Sequence, residues 1–348
     1  MISKARRRAL AFSLSFATSI GATALAHAAT DTACPNGLRK INIGVAVSPP
    51  NVVHTTPYVA QELGLFAKHC VEANIVQFDG GAAGTAITAV AQGTAIGNLP
   101  AAPIAHGIHA REIWGFAPRP PQSYVVDASV KSFADLKGKR LSAAGGIGGY
   151  NWLIGREVLK KGGLKPEDAT FISQGTAGRL PGLLTGQLDG VVLHPEDVFL
   201  AQQKKPDLHV LVSLGDLLPE ATFNAYGAAD ALIAKDRPLL VDTIAAMIEA
   251  NRAIYSQKDK VVPIMMKATA KPKDAVEFAY DYLTKNCIWA VNGGFDRKNI
   301  AWSIDNDVAN GDIKPEQKPT VEQVADFAFA DEAVARAGGP TTINSCKE

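Results

Sequence analysis

"LSAAGGIGGYNWLIGREVLKKGGL" (Leu141–Leu164) decides the fold. A short apolar strand runs into four glycines interrupted by one isoleucine, and an amphipathic helix follows. That is one strand-to-helix unit of an α/β protein. Its glycines allow close approach of the backbone to a ligand, and the helix start offers unpaired N–H groups to an anion. The spacing does not match G-x-G-x-x-G and no Walker lysine follows, so a nucleotide phosphate is a poor fit. The same residues would serve equally as a helix cap, with Trp152 in the core.

The pattern continues on both sides. Upstream lie the strand "SYVVDASV" and the turn "KSFADLKGKR"; downstream lie the strand "ATFISQ", the helix "GTAGRLPGLLTGQLDG" and the strand "VVL", stopped by His194-Pro195-Glu196. An earlier set begins with "INIGVAV" (Ile41–Val47), ended by Ser48-Pro49-Pro50. Next comes "TTPYVAQELGLFAKHC", with Val59, Leu63 and Phe66 at helical spacing, Thr56 as N-cap and Pro57 at the first helical position. "ANIVQF", "GGAAGTAITAVAQGTA" and "IGNL" add a strand, a helix and a strand. Strands alternating with helices imply parallel pairing. Two such sets predict two α/β lobes: residues 29–123 with 228–348, and residues 124–227, the chain crossing back near Asn224 to Ala234.

The first 28 residues read as a cleaved export signal: Lys4, Arg6, Arg7 and Arg8, an apolar run from Leu10 to Leu25, then Ala26-His27-Ala28. A membrane anchor would ask for a longer, less polar run. The chain has 35 basic and 34 acidic residues; losing a leader with four basic residues and no acidic one leaves a net charge of −3. A weakly acidic domain without a basic tract excludes nucleic acid and anionic membrane surfaces as partners. Four cysteines, Cys34, Cys70, Cys287 and Cys346, allow three pairings in an exported chain. Cys34 precedes the first strand and Cys70 ends the helix running back from it, so both belong at one end of the unit. The expected bonds are Cys34–Cys70 and Cys287–Cys346. No lipobox precedes Cys34, and no C-x-x-C suggests zinc.

Three segments in order carry a family likeness. "YVAQELGLFAKHCVEANIVQFDGGAAGTAITAVAQGTAIGNL", "VKSFADLKGKRLSAAGG" and "LLTGQLDGVVLHPE" resemble the NMT1/THI5-like group of periplasmic solute-binding proteins of ABC importers, which includes sulfonate, taurine and nitrate binders. The resemblance covers roughly residues 41–237. Cys70 stands where the family usually has glycine, and His194-Pro195 replaces an aromatic-acidic pair. It implies a type II periplasmic-binding-protein fold: two lobes, each a mostly parallel sheet flanked by helices, joined by two crossing hinge segments that close on a ligand. It also implies a periplasmic monomer that hands a small molecule to a membrane permease and its ATPase, with no cofactor. Enzymes share the fold, but the "CCCFC" stretch of the pyrimidine synthase is absent. The desulfinase needs a free cysteine, which paired cysteines would not supply, and no G-x-S-x-G occurs.

In such lobes the loops at the carboxyl ends of strands face the cleft. That rule nominates Ser48, Pro49, His54 and Thr56 after the first strand, Gly84 and Thr85 at the second helix, and Asn98 after the third strand. In the other lobe it nominates Gly146, Gly148, Tyr150 and Asn151, then Thr176 and Arg179, then His194 and Glu196, with Asn224 on the hinge side. Arg179 suits a carboxylate or sulfonate, and Tyr58, Tyr150 and Trp152 suit an apolar or aromatic body. The expected ligand is therefore a small organic anion. The alternative, a thiamine-pyrimidine type of heterocycle, asks for acidic groups, of which this placement supplies only Glu196. His106 and His109 in "HGIHA" would share a helix face and could be aided by His54, but no carboxylate or cysteine stands by as a third metal ligand.

Overall fold

The structure, a computed structural model, describes residues 34–78, 88–97, 99–343 and 346. The leader segment, Gly84, Thr85 and Asn98 lie outside the described residues.

The chain lays down β1 (Arg39–Val45), β2 (Val71–Gln77), β3 (Ala95–Gly97) and β4 (Ala110–Ala117). It then crosses to β5 (Ser123–Val126), β6 (Arg140–Ala144), β7 (Thr170–Gln174), β8 (Gly190–Leu193) and β9 (His209–Ser213), and returns as β10 (Asn224–Ala229). Two five-stranded sheets result, ordered β2-β1-β3-β10-β4 and β7-β6-β8-β5-β9. β1 runs parallel to β2 and β3, and β6 parallel to β7 and β8; β10 and β5 are antiparallel to both of their neighbours. The antiparallel strand of each sheet is thus the one that has just arrived from the other sheet. This is the two-domain periplasmic-binding-protein fold.

The return falls slightly earlier than the sequence suggests. Asn224–Gly227, read as part of the second lobe, pair with β3 and β4 in the first sheet. The glycine and alanines of "NAYGAA" carry little strand signal. Gly227 is there because Leu99 occupies the space a side chain would need.

Strand alternation divides the second lobe's core. Along β8, Val191 and Leu193 pack with Val125, Leu183 and Ala201 on one face, and Val192 packs with Tyr124, Leu141 and Val158 on the other. Helices cover both faces, as buried parallel strands require. In the first lobe the main core surrounds Trp114, Phe116, Trp289 and Phe329, with the long helix Asp230–Ser256 through its centre. That helix is interrupted at Asp236, ahead of Pro238, and the Asp236 carboxylate accepts from the Leu239 N–H at 3.1 Å to restart it.

Cys287 and Cys346 are bonded with Cα atoms 5.5 Å apart. Cys34 and Cys70 are each disulfide-bonded as well, so no cysteine thiol is free. Among the described residues no helix is long and apolar enough to cross a membrane. Thr55, one residue earlier than expected, holds the N-cap position of helix Thr56–Glu62, its hydroxyl donating to the Val52 carbonyl at 2.7 Å and not capping the helix. His106 and His109 do not share a helix face: the short helix ends at Ala105, and residues 106–109 form the turn into β4.

Candidate functional site

The carboxyl ends of β1 and β8 and the two crossing segments converge on one buried cluster. His54 sits in the 3-10 turn Val52–Thr55 after β1. His194 is the N-cap residue of helix Pro195–Lys204 after β8. Their rings meet edge-on at 5.5 Å. Gln122 comes from the first crossing and Phe223 from the second. Phe223 touches the rings of His54, His194 and Tyr150 at 6.0–6.1 Å. The Tyr150 hydroxyl donates to Gln122 Oε1 at 3.4 Å.

The two lobes are hydrogen-bonded to each other here. Glu196 Oε1, from the second lobe, accepts from Asn51 Nδ2 and from the Val52 N–H, both at 3.0 Å. Beside it Lys271 pairs with Asp197. The two lobes are therefore closed on each other, joined here by Glu196 and Asp197, adjacent residues in the first turn of one helix, and elsewhere by Arg156 to Asp312 and by Asn310 to Glu157.

Electrostatics within the cluster are set by burial. His54 is pushed down to about 3, by desolvation first and by Arg179 second. His194 is held well below the usual histidine range by burial, with His54, Arg179 and Lys271 adding to it. Both imidazoles are neutral at pH 7. Asn224 Nδ2 donates to His54 Nε2 at 3.2 Å, and Gln122 Nε2 to His194 Nε2 at 3.4 Å. A neutral ring that accepts at Nε2 carries its proton on Nδ1. Both Nδ1 atoms are buried and have no hydrogen-bond partner among the described residues. Glu196 is raised by burial and by Asp197, against the bonds from Val52 and Asn51.

Arg179 supplies the charge. The residue is 5% exposed, with Nε on the Thr176 carbonyl at 3.1 Å and Nη1 on the Val192 carbonyl at 3.0 Å. None of the ion pairs among the described residues includes it. Desolvation acts against its charge, while Asp197 and Glu196 support it from beyond contact range. A buried guanidinium held only by carbonyls, next to two orphan N–H donors, is an environment that an anion would complete.

The structure thus brings His54, Tyr150, Arg179, His194, Glu196 and Asn224 together. Among the described residues, it does not bring the other nominated ones with them. Thr56 Oγ1 donates to Asn251 in the core at 2.8 Å. Ser48 bonds Gln77 at 2.9 Å at the surface, where Gln77 also donates to the Tyr58 hydroxyl, and Pro49 is exposed. Gly146 and Gly148 have φ near +91° and +83°. The Gly146 N–H is spent on the Ala143 carbonyl and that of Gly149 on Gly146, so the glycines build the turn. Trp152 packs on Phe171 under the Arg156 guanidinium, away from the cluster. Asn151 ties back to the Ala144 carbonyl at 3.1 Å, leaving Oδ1 unpaired, and Thr176 serves through its carbonyl. Asn51, Gln122 and Phe223 escaped the sequence reading. Polar Gln122 inside the proline-rich "PRPPQSY" was the one available sign.

The family model described as NMT1/THI5 like matches residues 51–269. The chain belongs to that family. The matched span holds every residue of the cluster. A protein of Brucella abortus (strain 2308), named only as a binding protein, is 26% identical over 218 residues, which is 60% of this chain and 66% of the relative, just under two thirds of it. Among solved structures, the alkanesulfonate-binding protein SsuA of Xanthomonas axonopodis pv. citri superposes with a TM-score of 0.65 at 15% identity, over 83% of this chain and 98% of that one. The nitrate-binding protein NrtA of Synechocystis PCC 6803 gives 0.66 at 14% identity, over 86% and 89%. The desulfurization enzyme DszB gives 0.56 at 14% identity, over 85% and 99%. At these identities the likeness is one of fold.

Proposed function

We propose that this NMT1/THI5-like chain is the ligand-capturing component of an ABC uptake system, working outside the cytoplasmic membrane and closing its two lobes on a small organic anion. The observation that carries this reading is Arg179: a buried cation with no ion-pair partner among the described residues, beside two neutral histidines whose Nδ1 protons have no acceptor among them. A sulfonate or carboxylate would take charge from the guanidinium and hydrogen bonds from both rings, while Tyr150 and Phe223 flank its apolar part. The Glu196 bridge to Asn51 and Val52 would latch the lobes, and the closed monomer would be what a permease and its ATPase recognise. Capture needs no chemistry, and a chain with all four cysteines in disulfides has no thiol for a desulfinase-like reaction.

The test is calorimetric titration of the protein, stripped of ligand by unfolding and refolding with its disulfides intact. The panel holds alkyl and aryl sulfonates, carboxylates, nitrate, pyrimidines and divalent metals. The reading expects binding by sulfonates or carboxylates that weakens at least a hundredfold in Arg179→Gln. Binding by pyrimidines or metals alone, or anion binding indifferent to that substitution, would overturn it.

A further inference from the structure

A cavity lies against the hinge, walled in part by Tyr150 and Phe223, the two rings that also border the histidine cluster. Its volume is about 140 Å³. Both lobes wall it: Tyr150 and Glu157 of helix Tyr150–Lys161 on one side, Glu112 of β4 on the other, with Trp302 and Asp307 of helix Arg297–Ala309 and Phe223 of the second crossing completing it. Three of the described lining residues are acidic and none is basic.

Glu112 makes this more than an acidic cluster. It is 7% exposed in mid-strand, and its Oε2 is buried with no hydrogen-bond partner among the described residues. Burial pushes its pKa up to about 8, and burial together with Asp312 pushes that of Asp307 up to about 7, against Arg156. A strand could carry an apolar residue here at no such cost. Arg156 is occupied with Asp312 at 2.8 Å, and Glu157 accepts from the Asn310 amide at 3.1 Å and pairs with exposed Lys160 at 3.9 Å.

We propose that this cavity binds a small organic ammonium ion, its charge met by Glu112 and Asp307 and its apolar body by Trp302, Tyr150 and Phe223. Carboxyl groups around aromatic faces suit such a cation on both counts. The volume compares with that of a cavity of about 150 Å³ that accepts benzene, so the cation has roughly six non-hydrogen atoms. Because both lobes form the walls, occupancy favours the closed arrangement.

Piperidinium tests this against tetrahydropyran, a neutral ring of the same size, with tetramethylammonium as the quaternary probe. Titration calorimetry on the intact protein should show binding of the cations and at least tenfold weaker binding of the ether. Glu112→Gln and Asp307→Asn should each weaken piperidinium about tenfold, in line with the loss of one charge-assisted contact. Arg179→Gln should leave it within twofold, which separates this site from the anion cluster. Equal affinity for the ether, or indifference to both carboxyl substitutions, overturns the proposal. Cation binding without any anion binding sinks the anion reading and leaves this one standing.

Discussion

Lowering the pH from 7.5 to 5.0 should pull the clamp apart through His54. The buried ring has a pKa of about 3 against 6.5 when free. A histidine lowered in this way contributes its full share of stability above 6.5 and loses it as pH falls from there towards 3. At pH 5 the ring is still neutral in the closed protein but would be charged in water. The lost stability is 1.5 pH units' worth, ~2 kcal/mol or about thirtyfold. His194 is shifted in the same direction and adds to the effect. Glu196, whose pKa is raised by burial, opposes it, because a carboxyl of that kind favours the closed form as pH falls.

The histidine share is isolated by comparison with His54→Gln, which keeps a hydrogen-bonding group beside Asn224 but cannot titrate. Urea unfolding at both pH values should show the wild-type protein losing ~2 kcal/mol more than the variant. If the lobes open instead of the chain unfolding, small-angle scattering should show the wild type expanding at pH 5 while the variant stays compact. Parallel stability losses with no difference in compactness would refute a buried, neutral His54.

Two further outcomes concern the scaffold. The Cys287–Cys346 bond closes a loop with a sequence separation of 59, so replacing both cysteines with serine should lower the unfolding free energy by about 4 kcal/mol; an unchanged urea midpoint would count against it. Gly294 has φ of +64°, and a Cβ there would collide with the Gly115 backbone, whereas Gly163, with φ of +69°, faces open space. Gly294→Ala should therefore cost about 3 kcal/mol or more and Gly163→Ala about 1 kcal/mol, measured by thermal unfolding, and the reverse order would be incompatible with this packing.

What the sequence disclosed follows from what is local. A β-branched run, a glycine turn and an amphipathic helix are each encoded within a dozen residues, so the alternation and the two lobes were readable. The rule that loops at strand carboxyl ends face a cleft then nominated His54, Arg179, His194 and Glu196, which the fold does bring together. The same rule nominated Thr56 and Gly146, whose donors are spent on Asn251 and on the Ala143 carbonyl, because helix capping and turn formation ask for the same residue types as ligand contact, and only geometry shows where each donor is spent. Gln122 and Phe223 were missed because their place depends on where two crossing segments meet. The acidic cavity is the extreme case. Glu112 in mid-strand, Glu157 in mid-helix and Asp307 in a distant helix share no spacing that any motif could register. They become a site only because closing the lobes around Tyr150 and Phe223 puts one acidic wall from each element around the same space. Tyr150 and Phe223 border both the histidine cluster and this cavity, so the two proposed sites share their aromatic wall, and a substitution at either ring is expected to disturb both.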